Sequence, residues 1–150
     1  MIAIIRPDSW DFPLLVHVLG AMLLVGTLVL AASALFCAWR DGNAALMRLG
    51  YRSLLLGVLP AWIVMRGSGQ WIADKEHLTD SNASWIGIGF TTGDVGLPLI
   101  LISILLAGLA ARRAGRAQSW SGFGRTSTVL VSVLLIAYLV TVWAMTTKPV

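Results

Sequence analysis

The chain has 150 residues, of which 57% are hydrophobic and 12% charged, whereas an average soluble domain is about 45–50% apolar and about 25% charged. With a mean hydropathy of +0.82, this composition excludes an ordinary water-soluble domain and predicts a single membrane-embedded domain over residues 1–150. The net charge of +4 comes from arginines in short connections between apolar segments, so nucleic acid is not the expected partner, and the single cysteine excludes an internal disulfide.

The first half of the chain supplies two predicted membrane spans. Residues 13–39 carry no charge, and they are longer than both the ~20 residues that cross a bilayer and the apolar part of a signal peptide. A stripe of small residues on this span is expected to contact another helix: Gly20, Thr27, Ala31 and Ala34. The second span, residues 51–73, is interrupted by Arg66, and Gly57 and Pro60 predict a local distortion of its helix.

The second half supplies two further spans, residues 95–111 and 126–147. Residues 74–94 are polar and glycine-rich, and we expect them to form an outer loop that folds back onto the bundle as a short lid, with Phe90 in the membrane interface. The segment Gly87-Ile-Gly89 lacks the third glycine and the preceding strand of a phosphate-binding loop. Because the remaining connections are short, the expected fold is an all-α membrane protein, an antiparallel up-down bundle of four transmembrane helices.

The charges divide between the two sides of this predicted bundle. Seven of the eleven basic residues lie in the connections between spans one and two and between spans three and four, whereas six of the seven acids lie in the tails and in residues 74–94. Basic connections remain in the cytoplasm, so both termini are expected outside. Four arginines of the second basic connection set this topology or contact anionic lipids: Arg112, Arg113, Arg116 and Arg125.

A polar cluster is predicted at the outer end of the second span. Arg66, Gln70, Asp74 and His77 recur at helical spacing and share one face. Arg66 lies roughly 10 Å inside the span boundary at 1.5 Å per residue, where an arginine costs at least ~2.5 kcal/mol unless it is paired or reaches water. Either it joins an acid, preferably Asp94, and fastens the bundle, or it faces a haem propionate, a lipid phosphate or a carboxylate substrate.

The only two histidines, His17 and His77, are expected near the outer surface. Two neutral imidazoles can take the axial positions of a b-type haem, with Arg66 meeting a propionate, and the same pair can bind a metal ion. Alternatively, His77 is a solvated loop residue. A complete copper or zinc site needs more ligands than this pair supplies, so the identity of any metal stays open.

From His17 to Gly26 the chain reads His-Val-Leu-Gly-Ala-Met-Leu-Leu-Val-Gly. This segment resembles the opening of small bacterial four-span membrane proteins of unknown function that are distantly similar to CopD, the copper-resistance membrane protein. The resemblance implies a multi-pass protein of the bacterial inner membrane with a helical bundle, and it carries over only His17 as a candidate ligand.

Three functions are compatible with these features. The first is a non-enzymatic accessory or small-ligand-binding membrane protein whose outer polar cluster is structural or binds the ligand. The second is a b-type haem electron-transfer module that uses His17 and His77. The third is a subunit of a transporter or channel, which four spans with one deep charge form only after oligomerisation. The expected partners are the lipid bilayer and other membrane subunits or further copies of this chain.

Overall fold

A computed structural model describes residues 11–75, 84–116 and 121–147, and these residues form helices with short turns. The helices are α1 (Asp11–Asp41), α2 (Ala44–Ser53), α3 (Leu59–Lys75), α4 (Ser84–Gly115) and α5 (Ser121–Thr147). A π-helical segment (Leu54–Val58) joins α2 directly to α3, so residues 44–75 form one continuous helix. Gly42, at φ 66°, makes the turn between α1 and α2. The side chain of Asn43 caps α2 by accepting hydrogen bonds from the backbone amides of residues 45 and 46.

The helices run antiparallel to their neighbours in the chain. At one end, the start of α1 lies beside the end of α3, where His17 Nδ1 donates to the Met65 carbonyl at 2.9 Å. At the same end, the start of α4 meets the end of α5, where the hydroxyls of Thr92 and Thr141 are hydrogen-bonded at 3.0 Å. We call this the acidic end, because Asp94 lies there. The up-down order predicted from the short connections is therefore present in the helices described.

The opposite end of the bundle, which we call the basic end, carries exposed arginines from every helix that reaches it: Arg40, Arg48, Arg52, Arg112, Arg113, Arg116 and Arg125. There the guanidinium of Arg113 lies 4.4 Å from the ring centre of Phe123, and that of Arg125 lies 5.8 Å from the ring centre of Trp39. Arginine side chains beside aromatic rings are typical of the boundary between lipid and water.

The core and the outer surface of the bundle are both apolar. Leucines of α1, which packs mainly on α2, α3 and α5, are fully buried, while large hydrophobic side chains point outward on every helix, including Leu56 (72% exposed), Met22 and Leu105. Three helical segments are long and apolar enough to cross a membrane: Phe12–Asp41, Gly87–Gly115 and Gly122–Thr147. The protein is therefore an all-helical integral membrane protein. The helix at residues 44–75 is less apolar, and its α3 part has 17 residues.

The small-residue stripe of α1 faces the helix at residues 44–75, as its spacing predicts. A Cβ atom at Gly20 would lie 2.9 Å from the backbone nitrogen of Met65, and one at Gly57 would lie 2.8 Å from Cγ2 of Thr27. Side chains larger than hydrogen at either glycine would separate the helices. The close approach brings the backbones together, so that dispersion contacts accumulate along the interface.

The distortion predicted from Gly57 and Pro60 takes the form of the π-helical segment. Proline lacks an amide hydrogen, and its ring clashes with the carbonyl of the fourth preceding residue in a regular α-helix. A π turn inserts one residue, as the amide of Leu59 shows by donating to the carbonyl of Leu54, five residues back. The insertion widens the turn just before Pro60 and rotates α3 relative to α2.

The predicted outer loop is wrong for residues 84–94, because α4 begins at Ser84, eleven residues before the predicted span. Two glycines of the predicted loop, Gly89 and Gly93, and Gly96 of the predicted span follow one another at helical spacing. A Cβ atom at Gly89 would collide with Met145 of α5, one at Gly96 would collide with Tyr138, and one at Gly93 would lie 3.2 Å from Arg66 Cδ. These glycines allow α4 to approach its neighbours, so residues 84–94 extend the helix and do not form a lid.

Candidate functional site

The acidic end contains an ion pair between α3 and α4. Arg66 donates to Asp94 Oδ1 from Nη2 at 2.8 Å and from Nε at 3.1 Å. The Arg66 side chain is 25% exposed and that of Asp94 is 64% exposed, so the pair lies at the edge of the bundle. The partner favoured by the sequence is therefore the one that Arg66 contacts.

Two further polar residues extend this pair along α3. Arg66 Nη1 donates to Gln70 Oε1 at 2.9 Å, and Gln70 Nε2 donates to Asp74 Oδ1 at 2.8 Å. Each step spans four residues, which places the side chains on consecutive turns of one face. We call Arg66, Gln70, Asp74 and Asp94 the Arg66 cluster. Asp74 thus reaches Arg66 through Gln70, and the cluster runs from inside the bundle towards exposed Asp74.

The Arg66 cluster bridges helices that otherwise touch little. α3 contacts α1 extensively but meets α4 at few positions, since α4 packs mainly on α5 and α2. Three interactions cross between α3 and α4: the ion pair, the Arg66 guanidinium 5.1 Å from the ring centre of Phe90, and a hydrogen bond of 3.2 Å from Trp62 Nε1 to the Gly93 carbonyl. Side chains, and not close backbone packing, therefore connect these helices at the acidic end.

His17, a residue of α1, packs against a face of α3 that differs from the face carrying the α3 residues of the Arg66 cluster. Its Nδ1 donates to the carbonyl of Met65, and a Cβ atom at Gly69 would lie 3.0 Å from its Cε1. Because a carbonyl only accepts hydrogen bonds, Nδ1 carries the proton and Nε2 keeps a lone pair in the neutral ring. The structure thus gives His17 a partner of its own, with one nitrogen that can still bind a ligand.

The other predicted haem ligand, His77, lies outside the described residues. Residues 11–75, 84–116 and 121–147 contain no group of three or more His, Cys, Asp or Glu side chains that could hold a metal ion. The pairing of His17 with His77 therefore stays a prediction. His17 and Arg66 share no hydrogen bond among those described.

The structure also contains buried polar groups that the sequence analysis missed. The hydroxyl of Tyr138 is buried against Gly96, and within the described part of the chain neither it nor the hydroxyl of Ser103 has a hydrogen-bond partner. Trp62 and Phe90 were also missed as neighbours of Arg66. The spacing of Gly89, Gly93 and Gly96 is the one signal in the sequence that points to this contact region, because glycines at helical spacing mark close helix approach.

The chain matches no protein-family model, no curated protein and no solved structure. The resemblance of residues 17–26 to small CopD-like bacterial membrane proteins therefore stays a hypothesis.

Proposed function

We propose that the chain is a four-span accessory protein of the bacterial inner membrane, related to the small CopD-like proteins, with both termini outside and no catalytic activity of its own. In this proposal the Arg66 cluster has a structural role, since it connects α3 to α4 at the outer side of the membrane. A small anionic ligand that binds there would have to compete with Asp94 for Arg66.

The continuity of residues 44–75 supports the fourth span. A helix of 32 residues is about 48 Å long at 1.5 Å per residue, which exceeds the ~30 Å hydrocarbon core. Arg52 and Arg66 limit its uncharged part, but both long side chains can extend towards the nearer membrane surface. Because the helices run antiparallel, the arginine-rich start of this helix lies at the basic end of the bundle, and its other end lies at the acidic end.

The observation that carries the structural role is that the Nε–Nη2 edge of Arg66, which offers two parallel N–H donors, is occupied by Asp94 within the protein. Its guanidinium donates to Asp94 and Gln70 and lies on the ring of Phe90. An arginine kept for an external anion would present a free edge with two parallel N–H donors to that anion. Here the carboxylate of Asp94 occupies the position that such an anion would take.

A double-mutant cycle in detergent tests this role. Arg66→Ala and Asp94→Asn should each lower the free energy of unfolding, and the double variant should lose less than the sum. We expect a coupling energy of about 1–2 kcal/mol, between the values of exposed and buried ion pairs, because Asp94 is largely exposed. Arg66→Lys should recover part of the loss, since lysine keeps the charge but not the second bond to Asp94 or the bond to Gln70.

The matched control is Arg40→Ala, which removes an exposed arginine paired with Asp41, its neighbour in sequence, and joins no helices. Its stability should stay close to that of the unmodified chain. Strictly additive losses in the Arg66 and Asp94 variants would contradict the structural role, and so would an Arg66→Ala variant of unchanged stability. In either case the role of Arg66 as a receptor for an external anion would be the better explanation.

A second candidate, the b-type haem module, is favoured by the hydrogen bond of His17. A ring that donates from Nδ1 to a backbone carbonyl is oriented as haem-ligating and metal-ligating histidines are. The test is the visible spectrum of protein purified after expression with ample haem. A Soret band that disappears in both His17→Ala and His77→Ala supports this candidate, and a spectrum without the band rejects it.

A further inference from the structure

The basic end carries far more positive charge than its own acids can balance. Its seven arginines face a single acid, Asp41, and Arg40 already holds that carboxylate at 2.9 Å. The other acids among the described residues are Asp11, Asp74 and Asp94, and they lie towards the acidic end in the antiparallel order. Within residues 11–75, 84–116 and 121–147, the other arginines of the basic end therefore form no ion pair with a carboxylate.

One of these arginines, Arg48 of α2, lies against the end of α4, where the chain carries two more, Arg113 and Arg116. The Nη2 atom of Arg48 lies 3.3 Å from the position of a Cβ atom on Gly115, the last residue of α4. Arg113 and Arg116 belong to the same turn, and all three side chains are exposed. We call Arg48, Arg113 and Arg116 the Arg48 cluster. Guanidinium groups that share one surface repel each other unless an anion lies between them.

The surroundings of the cluster define the depth and the class of that anion. Phe123 lies beside Arg113, and Trp39 lies beside Arg125, both at the level where aromatic rings contact lipid headgroups. The anion available at this level in any membrane is the phosphodiester of a phospholipid. Arginine matches it well, because the planar guanidinium donates two parallel hydrogen bonds to phosphate oxygens.

We propose that the Arg48 cluster binds the headgroup of an anionic phospholipid. A lipid with a net negative charge is preferred over a zwitterionic one, because the ammonium group of the latter would add another cation to the surface. The site needs only the membrane residence of the bundle, and it is independent of the role of the Arg66 cluster and of the side that the basic end faces.

Native mass spectrometry of the full chain with phosphatidylglycerol and phosphatidylcholine in equal amounts tests the site. The unmodified chain should retain phosphatidylglycerol in preference, and Arg48→Gln should lower this retention at least about tenfold, as expected for the loss of hydrogen bonds to a charged group. Gly115→Val should do the same without any change of charge, since its side chain takes the space beside the Arg48 guanidinium.

Two matched controls separate the site from general charge. Arg40→Gln removes one positive charge from the same end but touches an arginine already paired with Asp41, and it should retain the lipid. Gly122→Val adds the same side chain where a Cβ atom would meet no neighbour within 4 Å, and it should retain the lipid as well.

Equal losses in Arg40→Gln and Arg48→Gln would overturn the proposal, because charge density alone would then explain retention. Equal retention of both lipids would overturn it too. So would an increase in the thermal stability of the chain by inorganic phosphate that equals the increase by phosphatidylglycerol. Should Arg48→Gln fail to fold, Gly115→Val against Gly122→Val decides the matter by the same measurement.

Discussion

At the scale of single residues, the acidic end depends on contacts between helices that local spacing does not reveal. The alignment of Arg66, Gln70 and Asp74 on one helix face can be predicted from their separation by four residues. The contact of Arg66 with Asp94 can be predicted from the position of Asp94 at the start of a span. Trp62 and Phe90 could not be predicted, because their places depend on how far α3 is rotated relative to α4. The π-helical segment sets that rotation.

The contact between Gly96 and Tyr138 gives a prediction at this scale. Gly96→Ala should lower the free energy of unfolding by about 1–3 kcal/mol, the usual cost of overpacking, because its Cβ atom would overlap with the tyrosine hydroxyl. Tyr138→Phe should cost little, since the buried hydroxyl has no partner in the described residues. The double variant, measured by thermal unfolding in detergent, should be more stable than Gly96→Ala alone. Equal stability of these two would contradict the overlap.

The hydrogen bond of His17 gives another prediction for a single residue. His17→Leu should cost about 1 kcal/mol, the net value of a neutral hydrogen bond, whereas His17→Asn should keep most of the stability because its amide can donate to the Met65 carbonyl. Chemical denaturation in detergent measures both variants. If asparagine and leucine destabilise equally, the imidazole contributes by its volume and not by its Nδ1 proton.

At the scale of helices, the sequence predicts a helix in each of the four apolar segments, but it predicts neither α2, most of which lies in the predicted connection before residue 51, nor the start of α4. Local propensity favours a loop at residues 84–94, since glycine weakens a helix by about 1 kcal/mol relative to alanine. Packing outweighs this cost, because Gly89 and Gly96 leave room for side chains of α5 and Gly93 leaves room for the side chain of Arg66. The distortion near Pro60 was predictable from the chemistry of proline, but its π-helical form was not.

The π-helical segment predicts an unusual tolerance to deletion. In a Pro60→Ala background, which removes the proline clash, deleting Leu56, an exposed residue of this segment, should convert the π turn into a regular α turn and leave the faces of α3 in register, so the chain should stay folded. Removing Ile63, an exposed residue of α3, should rotate the remainder of α3 by about 100° and separate Arg66 from Asp94. Thermal unfolding should therefore show a much lower midpoint for the Ile63 deletion. A lower midpoint for the Leu56 deletion would contradict this account of the segment.

At the scale of the whole molecule, composition and charge predict most of the architecture. A chain with this share of apolar residues folds so that hydrophobic side chains face both the core and the lipid, and the described helices do so. The separation of arginines and acids agrees with the antiparallel order and gives the bundle two chemically different ends. Three helices are apolar enough to span a membrane by themselves, so the number of spans depends on the helix at residues 44–75.

The most direct test is therefore the location of the two ends of that helix. In a Cys37→Ala background, Ala45→Cys and Lys75→Cys each place one thiol at an exposed position near an end of the helix. An impermeant maleimide applied to intact cells should label the thiol at position 75, whereas the thiol at position 45 should react only after permeabilisation, because the arginine-rich connections remain in the cytoplasm. Labelling of both positions, or of neither, in intact cells would place the two ends on one side and contradict the four-span account, and labelling of position 45 alone would invert its orientation.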